Sequence, residues 1–504
     1  MSDVRFGTAG LRATMGDGPG QFNTALVARA SYGLATYLTQ NQIAGPVVVG
    51  FDARHGSARF ATEAAAVLRA AGRRALLMPR ELPTPVLAFA VRHLAAAAGV
   101  MITASHNPAS DNGYKVYLAD GSQIAPPADA AMEAAMAAAP AAVPRTEAGA
   151  EFVGEDVVDA YLARAATLVP AAARRDALRV AYTPLHGVAG ETFRRAWELA
   201  GFSPYAEVAE QAAPDPDFPT VAFPNPEEPG ALDLAARTAA RADADLVLAH
   251  DPDGDRCAVM IRAGDGYRAL SGDEVGALLA EHLLTSGRIG ADGVLATTIV
   301  SSPLLDRVAA AHGRRCVRTL TGFKWLARAP GVAYAYEEAL GYCVDPDAVR
   351  DKDGITAALV IAEMATSVPL RERLDALTER YGVHVSAPRS IRIEDPALAS
   401  TVLRRLLDAP PPHLAGTPVD HVEDLSAPST DLPPTAGVRV TAGAITAVVR
   451  PSGTEPKLKL YLYVSGESAP ADPNHERAAL TAQLELAGRE LCNVLLGMRG
   501  SERG

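Results

Sequence analysis

The stretch "VMITASHNPASDNGYK", Val100–Lys115, carries an apolar run into a polar loop and decides how the chain is interpreted. The run "AGVMITA" at 98–104 is typical of a strand buried on both faces. Ser105 follows where that strand ends, and Pro108 shapes a turn after it. A serine hydroxyl is a weak nucleophile unless it is activated or phosphorylated, and the G-x-S-x-G elbow of hydrolases is absent. The stretch therefore fits either a displayed nucleophile or an ordinary strand-to-helix connection.

Short apolar runs separated by helical stretches recur along the chain, a pattern typical of parallel βαβ units. The pattern occurs about three times, over residues 45–120, 178–260 and 293–365. We therefore predict an α/β fold with three similar α/β domains built on mixed or parallel sheets. The predicted strands lie at 46–52, 98–104, 178–184, 244–251 and 293–300, with helices over 57–71 and 191–200.

The C-terminal part has a different pattern, with strands predicted at "GVRVTAG", "AITAVVRP" and "LKLYLYV". We predict a fourth, α+β domain there. The stretch 409–434 is so rich in proline that we expect it to lack regular structure. An Ala/Pro-rich stretch at 125–150 is expected to end the first domain with a helix and a linker. The predicted domains are 1–145, 146–260, 261–378 and 379–504.

Composition limits the class of function. The 504 residues carry a net charge of -12, which argues against general nucleic-acid binding and requires a local basic pocket for any anionic substrate. No uncharged apolar run reaches membrane-spanning length, and the N-terminus does not resemble a signal peptide. Four cysteines without a CxxC pair fit a reducing compartment. We expect a cytoplasmic protein with no nucleic-acid or membrane partner.

A second stretch, "HDPDGDRCAVMI" at 250–261, places Asp251, Asp253 and Asp255 directly after a predicted strand. Like charges this close repel unless a cation neutralises them, and hard oxygen ligands select Mg²⁺ or Ca²⁺. An EF-hand is excluded because arginine occupies the positions of its glycine and its glutamate. A phosphate oxygen would complete the coordination of Mg²⁺; the alternative is a plain Asp/Gly-rich turn.

Two further stretches suit a phosphorylated sugar. "VVRPSGTEPKLKLY" at 448–461 combines hydroxyls, loop amides and basic side chains, as in a phosphate-binding nest, although a hairpin turn with exposed basic residues is the alternative. "YAYEEALGYCVDPDAVRDKDG" at 334–354 offers paired glutamates beside a glycine, which could accept hydrogen bonds from sugar hydroxyls or simply start a helix. "FGTAGLRA", "TLTGFKW" and "YTPLHG" say little alone.

Together, these stretches resemble the α-D-phosphohexomutase superfamily, the phosphoglucomutase and phosphomannomutase enzymes. "TASHNP", "DPDGDR", the Glu-Glu-x-x-Gly loop and "RPSGTEPK" stand in the family's order and spacing, and the resemblance extends from Arg5 to Tyr461. "FGTAGLRA", "TLTGFKW", "VRDKDG" and "DPDFPTVAFPNPEE" (215–228) resemble the branch with phosphopentomutase and glucose-1,6-bisphosphate synthase. The resemblance implies four domains around a central cleft, the fourth closing over a substrate phosphate.

The resemblance also implies an activity: an intramolecular phosphotransferase that interconverts sugar 1-phosphate and 6-phosphate, of glucose or mannose, through a phosphoserine and a bisphosphorylated sugar. It implies one Mg²⁺ per chain, and it leaves open a sugar bisphosphate activator and whether the chain is a monomer or a homodimer. The alternatives are a phosphopentomutase, a serine-dependent metal phosphomonoesterase, and a non-catalytic protein that binds sugar phosphates.

The implied site residues follow motif by motif. Ser105 carries the phosphoryl group with His106 beside it, and Arg12 and Lys115 assist charge and proton movement. Burial and nearby cations are expected to lower the pKa of Lys115, which would suit a general acid or base. The metal ligands, with an oxygen of the phosphoserine, are Asp251, Asp253 and Asp255. The implied substrate contacts are Arg256, Thr321, Gly322, Lys324, Glu337, Glu338, Lys352, Arg450, Ser452, Gly453, Thr454 and Lys457.

The sugar loop departs from the family pattern. Many members have Glu-x-Ser-Gly-His, whereas here Ala339 and Leu340 replace the serine and Tyr342 stands at the histidine position. The sugar specificity, the acid or base normally supplied there, and the choice between Glu337 and Glu338 as sugar ligand therefore stay open.

Overall fold

The computed structural model describes residues 4–146, 149–170, 175–393, 398–428, 432–451, 457–466 and 471–497. The chain divides into two compact units, Met1–Val294 with Gly322–Leu370, and Leu295–Thr321 with Arg371–Gly504. The four domain boundaries and their arrangement around a cleft stay predictions.

The first sheet contains the predicted serine loop. Its elements are β1 (Leu11–Thr14), α1 (Thr24–Gln40), β2 (Val47–Phe51), α2 (Ser57–Ala70), β3 (Ala75–Leu77), α3 (Thr84–His93), β4 (Ala98–Ile102), β5 (Asp111–Leu118), α4 (Ala128–Ala137) and β6 (Glu151–Phe152). The strand order is β1-β5-β4-β2-β3-β6. β2 and β4 are buried throughout and pair in parallel, as their apolar runs predicted. The strand-to-helix alternative is wrong, because the serine loop leads into β5, antiparallel to β4.

The second sheet presents the aspartate stretch at the end of a central strand. Its elements are α5 (Glu155–Thr167), β7 (Val180–Thr183), α6 (Ala189–Leu199), β8 (Ala206–Glu207), α7 (Asp233–Arg241), β9 (Leu246–His250), β10 (Cys257–Ala263) and β11 (Gly266–Ala269). The strand order is β11-β10-β9-β7-β8, with β7 and β9 parallel and β10 antiparallel to β9. The predicted strands at 178–184 and 244–251 and the helix at 191–200 are confirmed.

The third set of elements is also α/β. It comprises α8 (Gly272–Thr285), β12 (Val294–Thr298), α9 (Leu304–Ala311), β13 (Cys316–Thr319), α10 (Phe323–Leu326), β14 (Val332–Glu337), β15 (Gly341–Cys343), α11 (Gly354–Ser367) and α12 (Leu370–Tyr381). β12 pairs in parallel with β13, and β14 pairs antiparallel with β15. In the part of the chain that the structure describes, no single helix is long and apolar enough to span a membrane; only α11 and α12, taken together across their bend, reach that length and hydropathy.

The C-terminal elements form an antiparallel sheet with helices. They are β16 (His384–Ser386), β17 (Arg389–Arg392), α13 (Leu398–Asp408), β18 (His413–Leu414), β19 (Thr417–Pro418), β20 (His421–Asp424), β21 (Val438–Ala442), β22 (Ile445–Pro451), β23 (Lys457–Ser465) and α14 (Pro473–Leu496). The sheet order is β16-β23-β22-β21-β20, with β17 also on β23, so the three predicted strands are confirmed.

One prediction for this region is wrong. The proline-rich stretch 409–434 contains three short strands, β18, β19 and β20. β20 pairs with β21 at the edge of the sheet. The prolines lie outside His421–Asp424, so this edge strand keeps its backbone amides for pairing.

The core beneath the first sheet generates a test of the fold. Phe60, on α2, is 1% exposed and packs edge-on against Phe22 at 5.1 Å between ring centroids. Phe60→Ala should destabilise the protein by about 3–5 kcal/mol, because it removes a large buried ring and leaves a cavity. Thr62→Ala, at an exposed position of the same helix, should change stability by less than about 0.5 kcal/mol. Urea denaturation of both variants checks this; equal stability would contradict the assigned core.

Candidate functional site

Ser105 lies three residues beyond the end of β4, in the loop that leads to β5. It is 2% exposed and adopts the left-handed conformation, with φ of +54°. Its hydroxyl donates to Asp251 Oδ2 at 2.8 Å and lies 3.2 Å from His106 Nδ1. The structure thus brings the predicted serine and the predicted metal ligands into direct contact.

The three aspartates form a compact buried group. Asp251, Asp253 and Asp255 are each 0% exposed, and one oxygen from each lies within 4.8 Å of the others. Among the described residues, Asp253 Oδ1 and Asp255 Oδ1 have no hydrogen-bond partner. Burial and repulsion by its two neighbours raise the pKa of Asp251. Carboxylate oxygens buried without partners are the ligands that a hard divalent cation takes, so this group fits Mg²⁺.

Lys115, on β5, places its ammonium group against the aspartates. Its Nζ donates to Asp253 Oδ2 at 2.6 Å and to Asp255 Oδ2 at 2.9 Å. Burial alone would lower the pKa of Lys115, but attraction by the two carboxylates outweighs it and the pKa is raised. The expectation of a lowered pKa is therefore wrong. Burial opposes ionisation of Asp253, yet Lys115 lowers the pKa of that carboxyl.

Lys352, just before α11, reaches the same carboxylates. Its Nζ lies 3.3 Å from Asp255 Oδ2 and 3.6 Å from Asp351 Oδ1. Asp351 is itself held by the Tyr117 hydroxyl and the Gln123 amide, each donating at 2.7 Å. The lysine predicted to face the substrate is thus only 5% exposed and belongs to the aspartate group.

Two arginines flank the serine and the aspartates. Arg12 Nη1 donates to Asn107 Oδ1 at 3.3 Å in the serine loop. The backbone amide of Arg256 donates to Asp251 Oδ1 at 3.0 Å, and its guanidinium donates to Glu227 Oε2 at 3.1 Å. Burial lowers the pKa of Arg12, although Asp253 and other carboxylates act against it.

The predicted sugar loop is fastened to the aspartate loop through the backbone. Gly341 forms an antiparallel bridge with Arg256, and the amide of Cys257 donates to the Leu340 carbonyl at 3.1 Å. Glu337 ends β14 and is 8% exposed; burial raises its pKa, against Lys352 and Arg256.

The residue at the family's histidine position lies in the core. Tyr342 is 0% exposed in β15, and burial raises its pKa well above the usual range. Glu338 is half-buried, and its carbonyl lies where a side chain on Gly272 would begin. A buried phenol therefore replaces the histidine, and it cannot present a proton donor at the surface of this loop.

Two further predicted substrate contacts, Gly322 and Lys324, lie near the N-terminal residues Gly7 and Thr8. Lys324 Nζ donates to the Gly7 carbonyl at 3.2 Å, and burial lowers the pKa of this lysine. Gly322 has φ of +109°, and a Cβ there would lie 2.7 Å from Thr8 Cγ2.

The second unit holds the other predicted contacts. Thr321, Arg450 and Lys457 belong to it, and each is half-buried. Ser452, Gly453 and Thr454 lie outside the described residues.

Sequence reasoning missed several partners of this site. Thr84, the first residue of α3, donates to Asp253 Oδ2 at 2.5 Å, and Arg54 donates to the Ser105 carbonyl at 2.6 Å. A threonine before a proline is typical of a helix start, so Thr84 gave no separate signal. Arg54 stands two residues after Asp52, a polar residue at a predicted strand end, and that was the available signal.

Comparison with known proteins identifies the family. Models described as "Phosphoglucomutase/phosphomannomutase, alpha/beta/alpha domain" I, II and III match residues 3–142, 159–264 and 271–381. A relative from Haemophilus influenzae named "Probable phosphomannomutase" is 40% identical over 461 residues, covering 88% of this chain and 93% of that protein. The chain belongs to the phosphoglucomutase/phosphomannomutase family. It is a phosphosugar mutase, an intramolecular phosphotransferase.

Two further comparisons extend across this phosphoglucomutase/phosphomannomutase chain. A relative from Schizosaccharomyces pombe named "Probable phosphoribomutase" is 35% identical over 518 residues, covering 92% of this chain and 87% of that protein. The crystal structure of a phosphoglucomutase/phosphomannomutase family protein from Burkholderia thailandensis superposes with a TM-score of 0.76 at 20% identity, covering 98% of each chain. The Burkholderia thailandensis structure supports the fold. The Schizosaccharomyces pombe relative differs in its named substrate from the Haemophilus influenzae relative, so the substrate sugar stays open.

The aspartate group generates a metal prediction. Asp253→Asn should lower turnover by at least about 100-fold and weaken Mg²⁺ binding, because it removes a charged oxygen ligand. Asp233→Asn, at an exposed position of α7, should leave both unchanged. Isothermal titration with Mg²⁺ and rates across a Mg²⁺ series measure the effect. Wild-type Mg²⁺ dependence in Asp253→Asn would exclude the metal assignment.

Proposed function

We propose that this mutase interconverts the 1-phosphate and 6-phosphate of glucose, mannose or both, through phospho-Ser105 and a bisphosphorylated sugar. The observation that carries the proposal is the 2.8 Å contact between the Ser105 hydroxyl and Asp251, inside a buried group of three aspartates. A serine placed against candidate metal ligands suits phosphoryl transfer, where charge neutralisation is the main requirement. Asp251, Asp253 and Asp255 would hold Mg²⁺, which supplies that neutralisation when bound.

The chemical step needs a serine ester and a free sugar hydroxyl. The hydroxyl oxygen of a sugar monophosphate attacks the phosphorus of phospho-Ser105, the bond from phosphorus to Ser105 Oγ breaks, and the proton that the sugar hydroxyl loses is balanced by the proton that Ser105 Oγ gains. In the return step, Ser105 Oγ attacks the phosphorus of the other phosphoryl group, the bond from that phosphorus to the sugar oxygen breaks, and the proton moves from the serine to the sugar oxygen. Lys115 and Arg12 supply positive charge beside the serine loop, as their contacts with Asp253, Asp255 and Asn107 support.

The phosphate that is not transferred would be held at the end of β22. Arg450 and Lys457 stand on adjacent antiparallel strands, where Arg450 pairs with Lys459. We propose that both side chains bind this phosphate, with Ser452, Gly453 and Thr454 between them along the chain. Hydroxyls, loop amides and a guanidinium together accept a phosphate in more than one orientation.

A pentose is the second candidate substrate. The relative from Schizosaccharomyces pombe named "Probable phosphoribomutase" favours it, and the sugar loop lacks the serine and histidine that many family members have there. The Haemophilus influenzae relative, named a phosphomannomutase, is more similar. We therefore place hexose phosphates first. A cytoplasmic location, a monomer or homodimer, and a sugar bisphosphate activator remain part of the proposal.

The phosphoserine proposal is tested by mass spectrometry and activity. Ser105→Ala should abolish mutase turnover because the phosphoryl carrier is lost, and purified wild-type protein should carry about 80 Da on the peptide that holds Ser105. Ser110→Ala, at an exposed position of the same loop, should keep both activity and the added mass. Normal turnover in Ser105→Ala would refute the serine assignment.

The sugar proposal is tested by a substrate panel. Rates on the 1-phosphates of glucose, mannose, ribose and deoxyribose should be highest for a hexose, with isomer formed in excess of inorganic phosphate. A preference for the pentoses by about 10-fold or more in kcat/KM would transfer the proposal to phosphopentomutase. Stoichiometric phosphate release without isomer would indicate a phosphomonoesterase.

The phosphate-nest proposal is tested in the second unit. Arg450→Ala should raise KM about 10-fold or more, because one charge-assisted contact with the substrate phosphate is lost. Arg439→Ala, on the neighbouring β21 and paired with Glu423 at 2.8 Å, is the matched control and should not change KM. If Arg450→Ala alters neither KM nor kcat, the nest assignment is wrong.

A further inference from the structure

Arg54 lies between β2 and α2, and its side chain binds the serine loop. Its side chain is 1% exposed. Nη2 donates to the carbonyls of Ser105 at 2.6 Å and Asn107 at 2.5 Å, and Nη1 donates to those of Pro108 at 2.7 Å and Asp111 at 3.2 Å. One guanidinium therefore binds three backbone carbonyls of the serine loop and the carbonyl of Asp111, the first residue of β5.

The Arg54 guanidinium is directed by a buried carboxylate. Its Nε lies 3.4 Å from Asp52 Oδ2, and Asp52 also accepts from the Arg54 amide at 3.1 Å and from the Ser57 hydroxyl at 2.6 Å. The Ser57 oxygen in turn accepts from the Asn112 amide at 2.9 Å, at the far end of the serine loop. The segment after β2 thus holds the loop at both ends.

These contacts occupy both terminal nitrogens of Arg54, which leaves neither of them to bind a substrate. A guanidinium has five N–H groups. The four on its terminal nitrogens face four backbone carbonyls. Its Nε lies 3.4 Å from Asp52 Oδ2 and, among the described residues, makes no hydrogen bond, but it is buried against that carboxylate. Arg54 therefore acts on the position of the loop and is not a phosphate ligand.

The serine loop needs such support because its central residue is strained. Ser105 has φ of +54°, a region that non-glycine residues rarely occupy unless their surroundings impose it. Its carbonyl is one of the four that Arg54 binds. The same conformation directs the hydroxyl toward Asp251. Loss of the carbonyl contacts should therefore misplace the hydroxyl while leaving the strands on either side intact.

A segment that the proposed chemistry does not use covers Arg54. The Phe218 ring lies 4.9 Å from the guanidinium carbon and is 4% exposed, within the stretch 215–228. This stretch is anchored at Thr220, whose hydroxyl oxygen lies 2.8 Å from His186 Nε2 and 2.8 Å from the Gln211 amide nitrogen. The ring covers the guanidinium and forms a cation–π contact with it.

The segment 215–228 also contacts the aspartate loop. Glu227 accepts from the Arg256 guanidinium at 3.1 Å, directly after the third aspartate. His186, which binds Thr220 of this segment, lies in a turn that also packs on the aspartate loop. In that turn the amide of Val188 donates to the Pro252 carbonyl at 2.9 Å. A Cβ on Gly187 would lie 2.4 Å from Pro252 Cα. The stretch 215–228 thus contacts Arg54, which binds the serine loop, and Arg256, which belongs to the aspartate loop.

We propose that Arg54, covered by Phe218, is a positioning residue for phosphoryl transfer: it sets the Ser105 hydroxyl against the aspartates, and the segment 215–228 ties it to the aspartate loop. This inference rests on the proposed role of Ser105. It assigns a structural role to "YTPLHG" (182–187) and "DPDFPTVAFPNPEE" (215–228), to which the proposed function gives no substrate or metal contact.

The test is Arg54→Lys, which keeps the charge but cannot span four carbonyls. We expect kcat to fall about 30- to 100-fold with KM changed by less than about 3-fold, because a shift of about 1 Å in a reacting group has this effect. Arg59→Lys, at an exposed position on α2, should be unchanged in both. Circular dichroism at the assay temperature must show a folded variant, and free guanidinium should partly restore kcat to Arg54→Ala. Wild-type kcat in folded Arg54→Lys would overturn the proposal, as would a change in KM alone.

Phe218 is tested by its coupling to Arg54. Phe218→Leu should lower kcat about 3- to 10-fold alone and have no further effect on top of Arg54→Lys, since residues that act through one another are not additive. Additive effects would remove Phe218 from the proposal. Ser105→Ala distinguishes failure of this inference from failure of the proposed function. If Ser105→Ala is inactive while Arg54→Lys has normal kcat, only the positioning role of Arg54 is wrong. If Ser105→Ala is active, the proposed function itself is wrong.

Discussion

Three carboxylates with no exposed surface share one small volume, and their mutual repulsion constrains everything around them. Charges removed from water must be matched by opposite charge within a few ångströms. Lys115 at 2.6 and 2.9 Å and Lys352 at 3.3 Å provide part of that charge, and two carboxylate oxygens keep no partner among the described residues. A site with this balance fits a divalent cation, and the proposed function adds a phosphoryl group beside that cation, as phosphoryl transfer requires.

The proposed catalytic site is formed by two loops that belong to different sheets. The serine loop leaves β4 and carries a strained residue, while the aspartate loop leaves β9. Neither is held by its own strand alone: Arg54 binds the first through its carbonyls, and the bridge between Arg256 and Gly341 fixes the second. In the proposed function, some polar residues that follow buried strands perform the chemistry and others hold those residues in place.

The sequence predicted best those features that depend on neighbouring residues along the chain. Continuous apolar runs predicted β2, β4, β7, β9 and β12, because burial on both faces demands apolar side chains at every position. The meeting of Ser105 with Asp251, 146 positions apart, followed only from the family resemblance. The predicted direction of the pKa shift of Lys115 was wrong. Burial lowers this pKa and two carboxylates raise it, and only the distances in the structure decide which effect is larger. Arg54 and Thr84 were missed because their partners are distant in sequence.

The most direct test of the central claim is the distance between the phosphoserine and the metal. Phosphorus NMR of the phosphorylated enzyme, with Mn²⁺ replacing Mg²⁺, reports that distance through paramagnetic broadening of the phosphoserine resonance. The account predicts that the resonance broadens beyond detection at one equivalent of Mn²⁺ and returns when a chelator removes the ion. A resonance that stays sharp while Mn²⁺ is bound would place the metal elsewhere and contradict the account.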